Sequence, residues 1–97
     1  MLIVTGSVTA RADTFEALRD AALAHSRRSR TEAGCLKHSV HVDCEDPLTL
    51  FFYEEWEDRA ALDAHFAVPE SLQYMRVAGE LAASGSKIRI LPIVPRA

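Results

Sequence analysis

Polar and apolar residues alternate along parts of this chain in a way that predicts β-strands. Residues 2–10 read LIVTGSVTA, residues 35–43 read CLKHSVHVD and residues 48–57 read LTLFFYEEWE. β-branched and aromatic residues with a period of two are typical of strands. Residues 87–94 predict a fourth strand, and Pro92 within it cannot donate to a neighbour, so we expect this strand at a sheet edge.

Apolar residues at helical spacing predict a first helix between the first two strands. We expect Asp13 to cap its amino terminus, with Glu16 three residues later, and Gly34 to end it. Its inward stripe is Phe15, Leu18, Ala22, His25, Ser29 and Ala33. Because this stripe becomes small and polar, it predicts a hydrated or ligand-lined space beneath the second half of the helix. The alternative is that His25 lies at the core rim with its ring nitrogen in water.

Two further helices are predicted between the third and fourth strands. Asp58 is expected to cap the first of them, which contains Leu62 and His65. Pro69 suits the first turn of the next helix, which is expected to continue to about Ala83. The inward positions of this last helix are expected to be Leu72, Met75, Gly79 and Ala82.

The predicted order of elements is β-α-β-β-α-α-β. This is the split βαβ, ferredoxin-like arrangement of an α+β domain with an antiparallel sheet, its second helix divided at Pro69. The third strand carries large apolar groups on both faces, since Phe52 and Trp56 point one way while Phe51 and Tyr53 point the other. One small chain has too few helices to cover both faces, so we expect a second copy to cover one of them.

The composition is that of one small globular domain over residues 1–97, with 48% hydrophobic and 26% charged residues. The 11 Lys and Arg against 14 Asp and Glu give a net charge of −3, which argues against a nucleic-acid partner. The basic cluster of residues 27–30 is interpreted as a solvated helix end. No apolar run reaches the roughly 18 residues of a membrane span, and no signal peptide is recognised. We therefore expect a cytoplasmic protein that does not contact membranes.

Cysteine spacing predicts free thiols. Cys35 and Cys44 bracket one predicted strand, and nine extended residues separate them by roughly 30 Å. That separation exceeds the reach of a disulfide within one chain. Both thiols are therefore expected to be reduced and unpaired, with Cys35 a small apolar residue at the start of its strand.

Histidine spacing along the second strand argues against a metal site. Strict alternation places His38 with Leu36 on one face, and Cys35 with His41 on the other. His38 and His41 therefore cannot bind one ion together. His41 shares its face with Asp43, but two ligands alone make a weak site, so no metal is expected.

Five short segments together resemble a known family. They are residues 32–36 (EAGCL), 46–47 (DP), 53–56 (YEEW), 58–65 (DRAALDAH) and 87–91 (KIRIL). In this order and at this spacing they resemble the antibiotic biosynthesis monooxygenase family, specifically its small quinol-monooxygenase-like members. The resemblance covers nearly the whole chain, and its segments indicate the family without indicating a substrate.

The chain departs from the family pattern at three places. The first leaves the substrate open, and the other two argue against haem chemistry. Many relatives have a histidine directly after the proline of the third helix, where this chain has Glu70. Haem-degrading members use an asparagine on the first strand, at the position of Ser7. Their haem-ligating histidine lies on the last helix, and residues 69–84 contain none. Haem binding and haem degradation are therefore disfavoured.

The resemblance implies a homodimer whose sheets pack face to face as an α-β barrel. It also implies oxidation of a phenolic or quinol-type aromatic, polycyclic ones included, by O2 with no metal, flavin or haem cofactor. His65 is the leading base or proton shuttle, since an imidazole titrates near neutral pH. Glu54 would orient His65, or take the proton itself if burial raises its pKa. Trp56 would stack on the substrate. The other expected substrate-binding residues are His25, Ser29, Phe52, Leu72 and Met75.

A second function remains open from the sequence. The chain would then be a non-catalytic dimeric α-β barrel that binds a small aromatic or stress metabolite, because one fold hosts many functions. In that case Trp56 is a core residue, His65 bonds to a helix end or to Glu54, and Glu54 pairs with a cation such as Arg59.

Overall fold

The computed structural model describes residues 1–94, so the last three residues of the predicted domain lie outside the described residues. The chain forms four strands and three helices in the predicted order. The strands are β1 (Leu2–Thr9), β2 (Cys35–Val42), β3 (Thr49–Trp56) and β4 (Lys87–Pro92). The helices are α1 (Phe15–Ser29), α2 (Arg59–Ala67) and α3 (Pro69–Leu81). The ferredoxin-like α+β fold is therefore confirmed.

The four strands make one antiparallel sheet in the order β2-β3-β1-β4. The register places Gly6 of β1 opposite Phe52 of β3 and Ile88 of β4. β4 lies at the sheet edge, as the sequence predicts, but it ends at Pro92 rather than at residue 94. Among residues 1–94, no helix is both long enough and apolar enough to span a membrane.

The helices cover one face of the sheet, and the core between them divides into two clusters. The larger cluster joins α1 and α3 to the sheet through Val8, Ala10, Leu18, Ala22, Leu50, Phe52 and Ala78. The smaller cluster joins α2 to the sheet through Val4, Trp56 and Leu62. The division at Pro69 is confirmed, and Asp58 accepts a hydrogen bond from the Ala61 amide at 2.8 Å as the predicted cap of α2.

The opposite face of the sheet carries Phe51 and Tyr53 of β3. Phe51 is 40% exposed in the single chain. The Tyr53 hydroxyl donates to Glu55 at 2.7 Å, and Lys37 Nζ lies 5.7 Å from the Tyr53 ring centroid. We call the surface formed by Lys37, Phe51, Tyr53 and Glu55 the outer face. The partner copy expected there stays a prediction.

Both ends of α1 differ from the prediction. Asp13 is exposed and does not cap the helix, which begins after Thr14. The Thr14 hydroxyl donates to the Leu81 carbonyl at 2.7 Å, which ties the residue before α1 to α3. The helix ends at Ser29 rather than at residue 33. Gly34 lies in the following turn with φ +82°, the left-handed region that favours glycine.

A β-bulge in β2 reverses the predicted faces of two residues. Cys35 pairs with Trp56 and Lys37 pairs with Glu55, so Leu36 is the extra residue of the bulge. Leu36 is 56% exposed, whereas Cys35 packs against the smaller core cluster. The prediction that Leu36 shares a face with His38 is therefore wrong. Both cysteines are free thiols, as expected.

The inward face of α3 is rotated from the predicted one. Ser71 and Ala78 are buried, and Tyr74 packs against the larger core cluster. Leu72 and Met75 are 51% and 41% exposed, and the helix ends at Leu81 rather than near residue 83. The polar groups on the buried face of α3 contact residues of the other two helices. Hydropathy alone does not reveal these contacts.

Candidate functional site

A cavity of about 300 Å³ lies between the inner face of the sheet and the helices. The sheet, with residue 86 just before β4, contributes Val4, Gly6, Ser7, Val8, Phe52, Glu54, Ser86 and Ile88. The helices contribute His25, His65, Phe66, Tyr74, Met75 and Ala78. Most of these residues are apolar, and the polar groups concentrate at Glu54 and the two histidines. Apolar cavities with a few convergent polar groups are typical of small-molecule sites.

Gly6 provides part of the floor of this cavity. A Cβ built on Gly6 would lie 3.6 Å from the Lys87 carbonyl oxygen and 3.8 Å from Ile88 Cγ1. These are ordinary contacts, so the neighbouring strands do not require a glycine here. The missing side chain instead leaves space for a ligand above the sheet.

His65 is held on the cavity wall by a hydrogen bond to a carboxylate. Glu32 Oε1 lies 2.9 Å from His65 Nδ1, and the other carboxylate oxygen of Glu32 accepts from Arg28 Nη1 at 2.5 Å. Arg28 also donates to the hydroxyl of Ser71 at 3.0 Å. A carboxylate only accepts hydrogen bonds, so Nδ1 of His65 carries the proton and Nε2 keeps its lone pair.

The protonation state of His65 suits a base. Burial lowers the pKa of His65 below its ordinary value of 6.5, and the hydrogen bond to Glu32 opposes this shift without reversing it. The ring is therefore neutral at pH 7, with only 2% of the residue exposed. A neutral imidazole with a free Nε2 can take a proton from a bound molecule.

Glu54 is ionised, which is contrary to one of the two roles predicted for it. Burial by itself raises the pKa of Glu54, but the contacts with His38 and Trp56 and the nearby His65 outweigh burial and lower it. The Trp56 indole N–H donates to Glu54 Oε1 at 2.9 Å. The expectation that burial prepares Glu54 to take the substrate proton is therefore not supported by its pKa.

His25 and Tyr74 form an aromatic pair at the cavity. Their rings are stacked, with centroids 4.4 Å apart and planes 10° from parallel. Burial, together with His38, His65 and Arg28, lowers the pKa of His25 to about 3. Burial also raises the pKa of the Tyr74 hydroxyl. Both groups are therefore neutral over the physiological pH range.

Five of the eight predicted site residues line the cavity: His25, Phe52, Glu54, His65 and Met75. The other three do not. Trp56 is completely buried, so it has no ring face to offer a substrate and instead holds Glu54 through its indole N–H. Ser29 is buried with its hydroxyl donating to the His25 carbonyl at 2.7 Å, and Leu72 lies on the exposed side of α3.

Some residues that contact His25 or His65 were not among the predicted site residues. They include Arg28, Glu32, His38 and Tyr74. Arg28 was expected at a solvated helix end, but its side chain is only 24% exposed because Glu32 and Ser71 bind it. His38 is 1% exposed, and its Nδ1 contacts the Ser26 hydroxyl at 2.6 Å. The alternation of β2 places His38 inward, but it does not reveal which helix side chains lie above it.

The fold and cavity define a ferredoxin-like α+β protein with a pocket between sheet and helices that two histidines line. The model of the antibiotic biosynthesis monooxygenase family matches residues 1–77 of the chain. The chain therefore belongs to the antibiotic biosynthesis monooxygenase family, as the sequence resemblance indicates.

Relatives support this assignment over the whole fold. PA3566 of Pseudomonas aeruginosa is 32% identical, with a TM-score of 0.87 over 97% of this chain and 94% of that one. Rv0793 of Mycobacterium tuberculosis is 27% identical, with a TM-score of 0.91 over 99% of this chain and 97% of that one. The uncharacterized protein sll1783 of Synechocystis is 29% identical over 92 residues, 95% of this chain. The chain spans only 63% of the length of sll1783.

Proposed function

We propose that this protein is a cofactor-independent monooxygenase that oxidises a phenolic or quinol-type aromatic with O2 in the cavity beneath the helices. The observation that carries the proposal is the neutral His65, held by Glu32 at the wall of an apolar cavity with Nε2 unprotonated. Membership of the antibiotic biosynthesis monooxygenase family supports the same reaction class.

The proposed reaction needs a base and an apolar cavity from the protein, because O2 is the oxidant and the substrate supplies the electrons. Ground-state O2 reacts slowly with closed-shell organic molecules unless the substrate is an electron-rich anion. His65 Nε2 takes the proton of the substrate, and the anion passes electrons to O2 to form a carbon–oxygen bond. Return of the proton gives a hydroperoxide. Loss of water then leaves one oxygen atom in the product as a carbonyl, so the substrate supplies all the electrons.

The surrounding groups have distinct roles in this proposal. The negative charge of Glu54 favours a proton on His65, and Glu32 stabilises the imidazolium from the other side. Phe52 and Met75 line the cavity and give the anion a largely apolar surrounding. The neutral His25 and Tyr74 offer hydrogen bonds to a second oxygen of the substrate.

The proposal also includes a homodimer. Two large apolar residues are exposed in the single chain: Phe51 of the outer face is 40% exposed, and Ile88, which lines the cavity, is 55% exposed. A second copy packed on the outer face would remove Phe51 from water. The expected cytoplasmic location stays a prediction.

O2 uptake by the purified, metal-stripped protein tests the reaction. Air-saturated hydroquinones and anthrones are the substrates, and the His65→Ala and His41→Ala variants are compared with the unaltered chain. His41 is the matched control because it is exposed. We expect uptake above the buffer rate that falls about 10²–10⁴-fold in His65→Ala and is unchanged in His41→Ala.

Two outcomes would contradict the proposal. Uptake at the buffer rate across the panel excludes these substrate classes, and binding of the same aromatics without uptake favours the non-catalytic barrel. Equal uptake in His65→Ala and in the unaltered chain would show that His65 is not the base.

A further inference from the structure

Three histidines from three different elements meet beside the cavity, and two of them line it. They are His25 of α1, His38 of β2 and His65 of α2. Their ring centroids are 5.3 Å apart for His25 with His38, 5.3 Å for His25 with His65 and 5.7 Å for His38 with His65. One nitrogen from each ring can be chosen so that all three lie within 4.8 Å of one another.

The other contacts of these rings all involve Nδ1. Nδ1 of His38 contacts Ser26, Nδ1 of His65 contacts Glu32, and Nδ1 of His25 lies 3.3 Å from Arg28 Nη2. Nε2 is therefore the nitrogen left to bind a ligand on each ring. Because Arg28 only donates, neutral His25 carries its proton on Nε2 and would move it to Nδ1 as Arg28 withdraws. Nε2 of His38 is buried and makes no well-aligned hydrogen bond among residues 1–94, although it lies 3.3 Å from Glu54 Oε1. A ligand at this nitrogen would give it the partner that it lacks.

We propose that His25, His38 and His65 bind a divalent transition-metal ion of the zinc type, with Glu54 as the fourth ligand. Glu54 Oε1 lies 3.3 Å from His38 Nε2, which is close to the separation of two ligands on one ion. Zinc takes imidazole nitrogens and carboxylate oxygens at about 2.0–2.2 Å in a tetrahedron, which holds its ligands roughly 3.4 Å apart. The ring nitrogens, now up to 4.8 Å apart, would move closer to reach that separation on binding.

The groups behind the ligands fit this role. A histidine ligand usually gives its other ring nitrogen to a carboxylate, carbonyl or water, and Glu32 holds Nδ1 of His65 in that way. Ser26 holds Nδ1 of His38. Trp56 orients Glu54 by donating to Oε1 at 2.9 Å. Three of the four proposed ligands are therefore already fixed by a hydrogen bond.

The electrostatics of the cluster also favour a cation. Two carboxylates, Glu32 and Glu54, and one guanidinium, Arg28, surround the three rings. The contact of Arg28 with His25 is longer than its contacts with Glu32 and Ser71, so Arg28 can release His25 and keep those partners.

This inference departs from the sequence-based expectation of no metal and does not depend on the proposed oxygenase reaction. An ion bound to His65 Nε2 would remove the free base which that reaction uses. Metal binding would therefore inhibit the proposed reaction. The two proposals fail separately, because metal binding is measured without any aromatic substrate.

Titration of the purified full-length chain with Co²⁺ tests the site, because tetrahedral Co²⁺ absorbs visible light strongly. We expect one Co²⁺ per chain, with a tetrahedral spectrum that excess Zn²⁺ abolishes. Affinity should fall at least about tenfold in His38→Gln and in His25→Gln. It should be unchanged in His41→Gln, the exposed control, and in Cys44→Ser, which removes the exposed thiol.

Histidine ring NMR of the unaltered chain provides a second measurement if a buried variant fails to fold. Zn²⁺ should shift the ring nitrogen signals of His25, His38 and His65 and leave those of His41 in place. Equal Co²⁺ affinity in the unaltered chain and His38→Gln, loss of binding in His41→Gln or Cys44→Ser, or a Zn²⁺ shift confined to His41 would each overturn the site.

Discussion

Glu32, in the turn after α1, accepts a hydrogen bond from Nδ1 of His65 on α2 over 2.9 Å. The two residues are 33 positions apart in the chain, and the contact occupies Nδ1 of His65, which leaves Nε2 as the unprotonated ring nitrogen. Arg28 holds the other oxygen of the carboxylate. The side chain that we propose as the base is thus oriented by a residue that does not itself line the cavity.

The first prediction concerns this contact. In Glu32→Gln the charge is lost, and the amide no longer requires a proton on Nδ1 of His65. We expect slower O2 uptake than in the unaltered chain, by less than the His65→Ala loss of about 10²–10⁴-fold. Nitrogen NMR should show a mixture of ring tautomers in place of Nδ1–H alone. Glu80→Gln, an exposed change on α3, is the control; an unchanged tautomer in Glu32→Gln would refute the orienting role.

The second prediction concerns the hydrogen bond from Trp56 to Glu54. Trp56→Phe keeps an aromatic ring in the core but removes the donor to a buried carboxylate. We expect the free energy of unfolding in urea to fall by at least about 2 kcal/mol. Arg59→Gln removes the exposed ion pair with Asp63 on α2 and should change it by less than about 0.5 kcal/mol.

A double-mutant cycle separates the hydrogen bond from the lost indole volume. If Trp56 acts through Glu54, then Trp56→Phe should cost less in a Glu54→Gln background than in the unaltered chain. Equal costs in the two backgrounds would mean that Trp56 only fills space.

The third prediction compares two glycines. A Cβ on Gly34 would collide with the Cβ of Ala61, and its φ of +82° disfavours any other residue. Gly34→Ala should therefore lower the free energy of unfolding by more than about 1 kcal/mol. Gly79 has no atom within 4 Å of an added Cβ, so Gly79→Ala should raise it by up to about 1 kcal/mol. Thermal unfolding measures both, and equal midpoints would contradict the reasoning.

The fourth prediction concerns thiol reactivity and pH. Burial, with Glu54 and Glu32 nearby, raises the pKa of the Cys35 thiol to about 11. At pH 8 only about a thousandth of Cys35 is thiolate, the reactive form, and this fraction rises about tenfold per pH unit up to that pKa. Iodoacetamide labelling of Cys44→Ser, which leaves only Cys35, should follow this rise.

The raised pKa of Cys35 also makes the stability of the fold depend on pH. The pKa in the folded state lies above the ordinary value of 9.0, so the free energy of unfolding falls as the pH rises from about 9 to 11. Cys35→Ser leaves the exposed Cys44 and should label rapidly at pH 8. Equal labelling rates for the two single-cysteine chains at pH 8 would show that Cys35 is not protected.

The fifth prediction concerns assembly. If a second copy packs on the outer face, a charge at Phe51 would be buried against apolar surface, so Phe51→Glu should yield a monomer in sedimentation at micromolar concentration. Leu72→Glu places the same charge on the exposed side of α3 and should leave the dimer intact. A monomeric mass for the unaltered chain would rule out the face-to-face barrel.

Most of the fold follows from patterns that one element contains by itself. The strands follow from alternation, and the division between α2 and α3 follows from Pro69, because a proline is favourable at a first helical turn. The bulge at Leu36 does not follow from such a pattern. The residues of β2 are the same with or without the bulge, but the bulge changes which face the residues before it occupy. The bond between Thr14, just before α1, and α3 is likewise contained in no local pattern.

The site residues also include some that can be recognised within one element and others that cannot. His65 and Glu54 are recognisable because each lies on the inward face of its own element. Glu32 and Tyr74 are not, because their importance comes from a contact with a histidine on another helix. The role expected of Trp56 fails because the alternation of β3 gives its direction and not its depth; the ring is fully buried under α2.

The position of β1 within the sheet has a consequence for how this chain reaches its folded form. β1 is the first strand along the sequence, yet both strands that pair with it, β3 and β4, come later. The edges of β1 therefore stay unpaired until β3 and then β4 have formed, and unpaired edges are where chains aggregate. We expect these distant pairings to make folding slow. The chain should be most prone to aggregate before residues 87–92 pair with β1.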